Sequence, residues 1–402
     1  MLGARMHFAV PSVLADAGLL HTLYTDAYLG NKVWLRKLLQ LVPGNFQPKA
    51  LRQLSGRVAE GIPANRVVSF DRLGLSYFLN RRRTETAAAL SELFAKTNHQ
   101  FGNSVVQAGL GATKFIWGFN GAALEIFQHA HERGIKCILE QTIAPRNVEL
   151  EFMQKEMRRW PDWQADLLPA ADDPLARREI AEWDLADKII CGSEFVAGAL
   201  KDAGVDGEKL AIVPYGIDVK RFQKEARKPD GKFKVLFVGE VGLRKGVPYL
   251  LEALRSLNRP ETIHARLVGP IAVDRAQLKT FGEWCEFVGP VSRADIHDFY
   301  RWADVLVLPS VCEGSATVTY EALAYGLPII TTANSGSVVR NGVDGFIVTV
   351  CSSAELASHI ALLCDDERLR LRMSGAASER TAEISLEAYA SRLLKVLSMI
   401  GQ

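Results

Sequence analysis

The chain has 402 residues, of which 48% are hydrophobic and 23% are charged. This composition predicts two or three domains with large cores and argues against global disorder. The net charge of +2, from 48 basic and 46 acidic residues, gives no indication of a nucleic-acid-binding protein. The six cysteines form no CxxC pair, which is typical of a reduced, cytoplasmic protein. No signal-peptide pattern and no uncharged apolar run of membrane-spanning length occurs, so we expect no transmembrane segment.

The first predicted elements are a strand over Met6–Val10 and a helix near Ser12–Tyr24. The next stretch, residues 29–59, contains no acidic residue and alternates basic residues with apolar ones. A basic amphipathic stretch of this kind can lie on an anionic membrane surface. It can equally be a helical excursion of the first domain with a solvated basic face, and both interpretations stay open.

From Asn103 to Pro214 short apolar runs alternate with helical patterns, which predicts a parallel sheet covered by helices on both faces. The predicted strands are Ser104–Ala108, Thr113–Trp117, Lys136–Leu139, Lys188–Cys191 and Ala211–Pro214. The predicted helices are Ala122–Arg133, Glu149–Trp160, Pro174–Leu185 and Glu194–Ala203.

The polar segment Lys220–Lys232 contains Pro229 and Gly231 and is predicted to be a linker. A second series of strands and helices follows it. The predicted strands are Lys234–Val238, His264–Val268, Cys285–Val288, Val305–Leu308 and Ile329–Thr332. The predicted helices are Pro248–Ser256, Ala294–Trp302, Ala316–Tyr325, Ala354–Leu363, Asp366–Glu379 and Leu386–Met399.

Asp304–Gly326 is the most informative stretch of the chain. Glu313 lies in the loop after the strand Val305–Leu308, and Glu321 lies about a turn and a half into the next helix. Ligands bind at the carboxyl ends of the strands in open α/β sheets. Two acids beside a helix N-terminus at this edge predict a site for a polyol attached to a phosphate.

A glycine-punctuated loop follows the strand Lys234–Val238 and reads Gly239-Glu240-Val241-Gly242-Leu243-Arg244-Lys245-Gly246. Glycines let the backbone approach a phosphate, and adjacent cations neutralise its charge. This loop therefore predicts a phosphate site.

The two stretches together resemble the retaining family 4 glycosyltransferases, also described as glycosyl transferases group 1. The family's Glu-x7-Glu signature is matched by Pro309, Ser310, Glu313, Gly314, Glu321, Ala322, Ala324, Gly326, Pro328 and Ile329. Lys245 and Gly246 are similar to the family's diphosphate loop, although Glu240 stands where the family usually has an Arg. Ser193 and Asp218 also match family positions.

The resemblance implies an α/β GT-B fold, in which two Rossmann-like domains face each other across a cleft. We expect an acceptor-binding domain over residues 1–218, joined by a C-terminal helix (385–402) that crosses back to it. A donor-binding domain is expected over residues 219–384. The implied activity is metal-independent transfer of a sugar, with retention, from a nucleotide sugar such as a UDP or GDP sugar. The acceptor would be a glycan, a lipid-linked sugar or a small molecule, as in polysaccharide biosynthesis.

The resemblance also assigns roles to individual residues. The predicted catalytic residues are Glu313, which would lie beside the donor sugar, and Arg244 and Lys245, which would stabilise the leaving diphosphate. The predicted donor-binding residues are Gly239, Glu240, Gly314, Ser315, Ala316, Thr317, Glu321 and Val288. Among these, Glu321 would accept hydrogen bonds from the nucleotide ribose, and the backbone of Ser315, Ala316 and Thr317 would face the sugar or its β-phosphate.

The first domain matches the family less well, since the usual histidine near the donor sugar is absent. Gln141 or Thr142 is the candidate to replace it, and Asp16 and Gly18 are candidates near the acceptor. No Asp-x-Asp motif and no metal-ligand spacing occurs, so we expect no metal and no cofactor. Two alternatives stay open: a nucleotide-sugar epimerase or hydrolase on the same fold, and a non-catalytic sugar-nucleotide-binding protein. The expected location is the cytoplasm, with peripheral membrane association if the basic stretch binds lipid.

Overall fold

The computed structural model describes residues 8–30, 32, 57–59, 61–84, 86–164, 172–222 and 231–400. Most of the basic stretch 29–59 lies outside these residues, so the membrane hypothesis for it stays a prediction. The chain divides into two compact units. One unit comprises residues 1–140 and 169–189, and the other comprises residues 141–168 and 190–402. The functional boundary near residue 218 likewise stays a prediction.

The described chain up to residue 222 contains six strands. They are β1 (Leu23–Thr25), β2 (Val67–Ser69), β3 (Phe115–Phe119), β4 (Lys136–Gln141), β5 (Lys188–Cys191) and β6 (Leu210–Ile212). The helices are α1 (Ala9–Asp16), α2 (Asp71–Arg81), α3 (Ala87–Ala108), α4 (Leu124–His131), α5 (Arg146–Arg159), α6 (Pro174–Leu185) and α7 (Glu194–Asp202). Strands β1 and β2 pair in parallel, and a four-stranded sheet has the order β3-β4-β5-β6.

The first predicted strand is wrong in its described part, because Ala9 and Val10 begin α1. The helix predicted near Ser12–Tyr24 is confirmed only as far as Asp16, where α1 ends, and its last two residues belong to β1. Ser104–Ala108 was predicted to be a strand but forms the last turns of α3. In that helix Phe101 and Val105 are both buried, and the four-residue spacing places them on one apolar helix face. Packing of this face overrides the β propensity of the two adjacent valines.

The chain from residue 231 onwards forms a second α/β series, as predicted. Its strands are β7 (Phe233–Val238), β8 (Ile263–Val268), β9 (Cys285–Gly289), β10 (Val305–Leu308), β11 (Ile329–Thr332) and β12 (Gly345–Val348). Its helices are α8 (Val247–Leu257), α9 (Arg275–Lys279), α10 (Ile296–Trp302), α11 (Thr317–Ala324), α12 (Ser353–Asp365), α13 (Glu367–Glu379) and α14 (Leu386–Ile400). The sheet has the order β12-β11-β10-β7-β8-β9, which is the order of a doubly wound fold.

The middle of this sheet brings the two predicted ligand loops together. Every residue of β7 and β10 is buried, as expected for strands covered by helices on both faces. The two strands pair in parallel, with Val305 opposite Val235 and Leu306 opposite Leu236. Their carboxyl ends therefore lie side by side. The loop 239–246 after β7 and the loop 309–316 after β10 meet at this edge.

The C-terminal helix α14 packs against the end of the predicted first domain. Ile217 forms a β-bridge with Ser385, and Arg392 donates to the carbonyl oxygen of Pro214 at 2.9 Å. The ring of Tyr389 on α14 packs edge-on against Tyr215. Residues 214–217 and α14 both belong to the second compact unit.

Candidate functional site

The two loops at the centre of the second sheet are fastened to each other through their backbones. The amide of Val311 donates to the carbonyl oxygen of Arg244 at 2.9 Å. Gly246 has a φ of +68°, and a Cβ at this position would lie 2.0 Å from the carbonyl oxygen of Pro309. Only glycine meets both the positive φ and the close approach. The backbone thus fixes Arg244 and Lys245 beside the loop that carries Glu313.

Glu313 holds both predicted phosphate-binding cations. Its Oε1 accepts a hydrogen bond from Arg244 Nη1 at 2.7 Å, and its Oε2 contacts Lys245 Nζ. Arg244 also donates to the carbonyl oxygen of Cys312 at 3.1 Å. The side chains of Glu313 and Lys245 are only 14% and 12% exposed. The structure therefore brings the three predicted catalytic residues together in one ion cluster.

Burial and charge act in opposite directions on this cluster. Burial alone would raise the pKa of Glu313, but the charges of Lys245 and Arg244 more than offset it and hold that pKa below its usual range. Burial lowers the pKa of Lys245, and the Glu313 carboxylate opposes this shift. Glu149 on α5 also acts electrostatically on Arg244. Glu149 belongs to no motif, so its place beside Arg244 could not be predicted from the sequence.

The N-terminus of α11 faces the same edge of the sheet. The N–H of Ala316 donates to the carbonyl oxygen of Ser335 at 3.1 Å, so this amide already has a partner, and its contact with the donor stays a prediction. Within the described chain the amides of Gly314, Ser315 and Thr317 have no such acceptor. These N–H groups, together with the positive end of the helix dipole, favour the binding of an anion.

Glu321 lies on α11, where its carboxylate is held from a different helix. Tyr300 on α10 is buried, and its hydroxyl donates to Glu321 Oε2 at 2.6 Å. Burial raises the pKa of Glu321, while the Tyr300 hydrogen bond and the nearby Arg293 oppose the shift. The ring of Tyr300 stacks on that of Tyr325, with ring centroids 5.4 Å apart. Tyr300 and Arg293 were missed from the sequence, because no local pattern connects them to Glu321.

The loop that follows β4 also reaches this edge within the second unit. A Cβ on Gly314 would lie 2.0 Å from the carbonyl oxygen of Thr142, so the two backbones are in close contact. Gln141 is buried and donates from its side chain to the carbonyl oxygen of Ile143 at 3.0 Å. Ser193 caps α7 and donates to the carbonyl oxygen of Gly314 at 2.5 Å. Thr142 is thus brought to the Glu313 loop, while the Gln141 side chain has a structural partner.

The remaining predicted site residues lie in different surroundings. Gly239 follows β7 with a φ of +150°, and Glu240 next to it is exposed. Val288 lies in β9 and is half-buried. In the first unit, Asp16 is the exposed last residue of α1, and Gly18 follows it with a φ of +70°.

The described ranges contain no helix that is both long and apolar enough to cross a bilayer. They also contain no group of three or more His, Cys, Asp or Glu side chains arranged to hold a metal ion. Independence of metal stays a prediction.

The second compact unit carries a recognisable domain. Residues 218–380 match the family described as Glycosyl transferases group 1. This segment is a glycosyl transferases group 1 domain. It contains the ion cluster of Glu313, Arg244 and Lys245 as well as Glu321.

Solved structures show the fold of the whole chain. HepE of Anabaena, in complex with UDP and glucose, aligns with a TM-score of 0.60 and 16% identity over 98% of this chain and 95% of that chain. Sucrose-phosphate synthase of Thermosynechococcus elongatus aligns with a TM-score of 0.66 and 19% identity over 97% and 91%. The predicted α/β GT-B fold class is confirmed.

Curated relatives match part of the chain. The D-inositol 3-phosphate glycosyltransferase of Pseudarthrobacter chlorophenolicus is 30% identical over 256 residues, which are 56% of this chain and 61% of that protein. The match spans 55–61% of the length of this relative and two others of the same name.

Proposed function

We propose that this protein is a retaining glycosyltransferase that moves a sugar from a nucleotide sugar to an acceptor. The proposal rests on the ion cluster of Glu313, Arg244 and Lys245 beside the N-terminus of α11, within the segment that matches the glycosyl transferases group 1 family. The two cations and the amides at and before this helix N-terminus suit a diphosphate, and the nearby carboxylate suits sugar hydroxyls.

The donor would bind along the carboxyl edge of the second sheet. Arg244 and Lys245 would contact the diphosphate, together with the amides of Gly314, Ser315 and Thr317. Glu321 would accept hydrogen bonds from the ribose hydroxyls, with Tyr300 holding its second oxygen. Val288 would lie near the base. We infer that the donor is a UDP sugar, because HepE, a protein of the same fold, is described in complex with UDP and with UDP-glucose.

Departure of the nucleoside diphosphate would be stabilised by these fixed charges. Arg244 and Lys245 supply two positive charges where negative charge develops on the leaving group, so we propose that transfer requires no metal. In line with the family resemblance, we propose that retention arises from attack of the acceptor on the face from which the diphosphate leaves, without a carboxylate nucleophile.

The acceptor is proposed by chemical class only. The matching relatives include proteins named D-inositol 3-phosphate glycosyltransferase and a putative colanic acid biosynthesis glycosyltransferase of Salmonella typhimurium, so a polyol phosphate and a glycan or lipid-linked glycan are the classes to try. Thr142 in the second unit and Asp16 and Gly18 in the first stay candidates for contacts with the sugar or the acceptor.

Peripheral attachment to the cytoplasmic face of a membrane is proposed for the basic stretch 29–59. A stretch with cations and no acidic residue would be attracted to anionic lipid. Co-sedimentation with vesicles containing phosphatidylserine tests this, and binding that weakens with added salt is expected. Equal sedimentation with neutral and anionic vesicles would contradict it.

A thermal-shift screen over UDP, GDP and ADP sugars identifies the donor, because a ligand that binds only the native state raises the unfolding temperature. The hit is then incubated with the protein and candidate acceptors, and the anomeric configuration of the product is read by NMR. Formation of a retained glycoside supports a transferase. Rapid conversion of the donor to an isomer or to free sugar without an acceptor would indicate an epimerase or hydrolase. Binding without any turnover would favour a non-catalytic sugar-nucleotide-binding protein.

A further inference from the structure

The ion cluster joins two cations to one carboxylate. Arg244 and Lys245 each contact one oxygen of Glu313, and Glu149 and Glu240 also act electrostatically on Arg244. Both oxygens of Glu313 therefore face a cation. Two of the roughly four acceptor positions of the carboxylate are directed at these cations rather than at a sugar.

Burial makes the carboxylate an effective competitor for these cations. The side chains of Arg244, Lys245 and Glu313 are 24%, 12% and 14% exposed, so water screens their attraction only weakly. A diphosphate that approaches Arg244 and Lys245 competes with Glu313 for these two positive charges. The N–H group of each cation that faces Glu313 becomes available to a phosphate oxygen only when the carboxylate is displaced from it.

We propose that Glu313 is a built-in counter-ion that occupies the diphosphate-binding cations until a nucleoside diphosphate displaces it. This inference rests on the proposed donor site and adds a regulatory step to it. In the empty site Glu313 keeps two buried cations paired, which prevents the large penalty of leaving them uncompensated. Once phosphate oxygens take over Arg244 and Lys245, the Glu313 oxygens become available to the hydroxyls of the donor sugar. Presentation of the carboxylate to the sugar is thus coupled to arrival of the diphosphate.

Free UDP and inorganic pyrophosphate are the decisive probes, because neither contains the donor sugar. If Glu313 only contacts the sugar, the Glu313→Gln variant binds both as the wild-type protein does. If Glu313 is the counter-ion, the neutral and nearly isosteric Gln no longer competes for the cations. Isothermal titration calorimetry should then show that the variant binds UDP and pyrophosphate about tenfold more tightly than wild type. The reason is that binding no longer has to break a charge-assisted hydrogen bond between the Glu313 carboxylate and a cation. Its sugar transfer should be slower.

The matched control is Glu252→Gln, which removes a carboxylate from an ion pair with Arg255 on α8. This variant should bind UDP and pyrophosphate as the wild-type protein does. A second variant, Glu313→Asp, retains the charge on a side chain too short to span both cations. It should bind UDP with an affinity between those of wild type and Glu313→Gln, and it decides the question if the Gln variant does not fold.

Unchanged or weaker binding of UDP by folded Glu313→Gln would overturn the counter-ion role while leaving the proposed function intact. For the Asp variant, an affinity no higher than wild type would overturn it in the same way. Failure of the wild-type protein to bind UDP, GDP, ADP or pyrophosphate would contradict the proposed function and this inference with it.

Discussion

At the scale of single residues, Glu321 depends on a phenol that no motif identifies. The Tyr300 hydroxyl donates to Glu321 Oε2 at 2.6 Å, and the Tyr300 ring is buried against Tyr325. The hydrogen bond stabilises the ionised carboxylate, which is the form that accepts hydrogen bonds from ribose hydroxyls. Tyr300 is therefore a positioning residue for Glu321, and removal of its hydroxyl should change how nucleotide affinity responds to pH.

The Tyr300→Phe variant should lose nucleotide affinity at a higher pH than wild type. Burial already raises the pKa of Glu321, so the affinity of the wild-type protein falls as pH decreases through this raised pKa. Without the phenol the charged form is less stable, the pKa rises further, and the loss begins at higher pH. Titrations of UDP between about pH 5 and pH 8 measure the shift, which we expect to exceed about half a pH unit.

Tyr325→Phe is the control for this measurement, because it retains the ring stacked on Tyr300 and removes a hydroxyl that contacts His297. In this variant, UDP affinity should fall at the same pH as in wild type when the pH is lowered. If UDP affinity of Tyr300→Phe also fell at the same pH as in wild type, the positioning role of Tyr300 would be contradicted.

The sequence located the residues of the site better than their contacts. Spacing alone placed Glu313 in the loop after a strand and Arg244 and Lys245 in a glycine-rich loop. Their ion cluster could not be predicted, because it depends on which strands are neighbours in the sheet. The Ala316 amide donates to the carbonyl oxygen of Ser335, nineteen residues further along the chain, and no local pattern predicts this contact.

At the scale of elements, the junction between β7 and α8 depends on Gly246. Its φ of +68° and its approach to the carbonyl of Pro309 leave no room for a side chain. The loop that presents Arg244 and Lys245 is thereby pressed against the loop that presents Glu313. Together with the Val311 amide on the Arg244 carbonyl oxygen, this close approach sets the geometry of the ion cluster.

Gly246→Ala should therefore destabilise the protein and impair the site together. A Cβ that would lie 2.0 Å from a carbonyl oxygen forces the backbone to shift, and we expect the free energy of unfolding in urea to fall by about 1–3 kcal/mol. UDP binding should weaken as the loops separate. Gly198→Ala is the matched control, since Gly198 lies inside α7 with open space around it, and alanine there should stabilise slightly. Equal stability of the Gly246 variant and wild type would refute the argument.

Uninterrupted apolar strands such as β10 and β11 were predictable, and the three-residue strand β1 was not. The strands β10 and β11 agree with the predictions to the residue, because each is a continuous β-branched or leucine run between clear turn signals. The strand β1 has three residues, which is too few to show a periodicity. The end of α3 was missed since the burial of Phe101 and Val105 is a tertiary effect.

At the scale of the whole molecule, the chain crosses between its two units more often than two consecutive domains would require. Residues 141–168, which contain α5, belong to the second unit. The buried carboxylate of Glu156 on α5 accepts hydrogen bonds from the Tyr249 hydroxyl on α8, at 2.9 Å and 2.7 Å to its two oxygens. Arg159 donates to the same hydroxyl at 2.9 Å. This group of polar contacts fastens α5 to the second unit.

Tyr249→Phe should loosen α5 without removing the apolar packing of the ring. Glu156 is 3% exposed, and without the Tyr249 hydroxyl its carboxylate would keep the weak Cys351 Sγ donor at 3.4 Å. Loss of the stronger donor to a buried carboxylate is destabilising by about 1–3 kcal/mol. Hydrogen exchange should become faster across Arg146–Arg159, while β10 and β11 keep the protection of the wild-type protein. Unchanged exchange in α5 would show that these polar contacts do not hold it.

In the proposed donor site, Glu321 would hold the ribose, and the cluster of Arg244 and Lys245 would hold the diphosphate. The most direct test is calorimetric titration of Glu321→Gln with UDP and with inorganic pyrophosphate. The variant should bind UDP at least about tenfold more weakly than wild type, because charge-assisted hydrogen bonds to the ribose are lost. It should bind pyrophosphate as wild type does. Unchanged UDP affinity, or an equal loss for both ligands, would contradict the account.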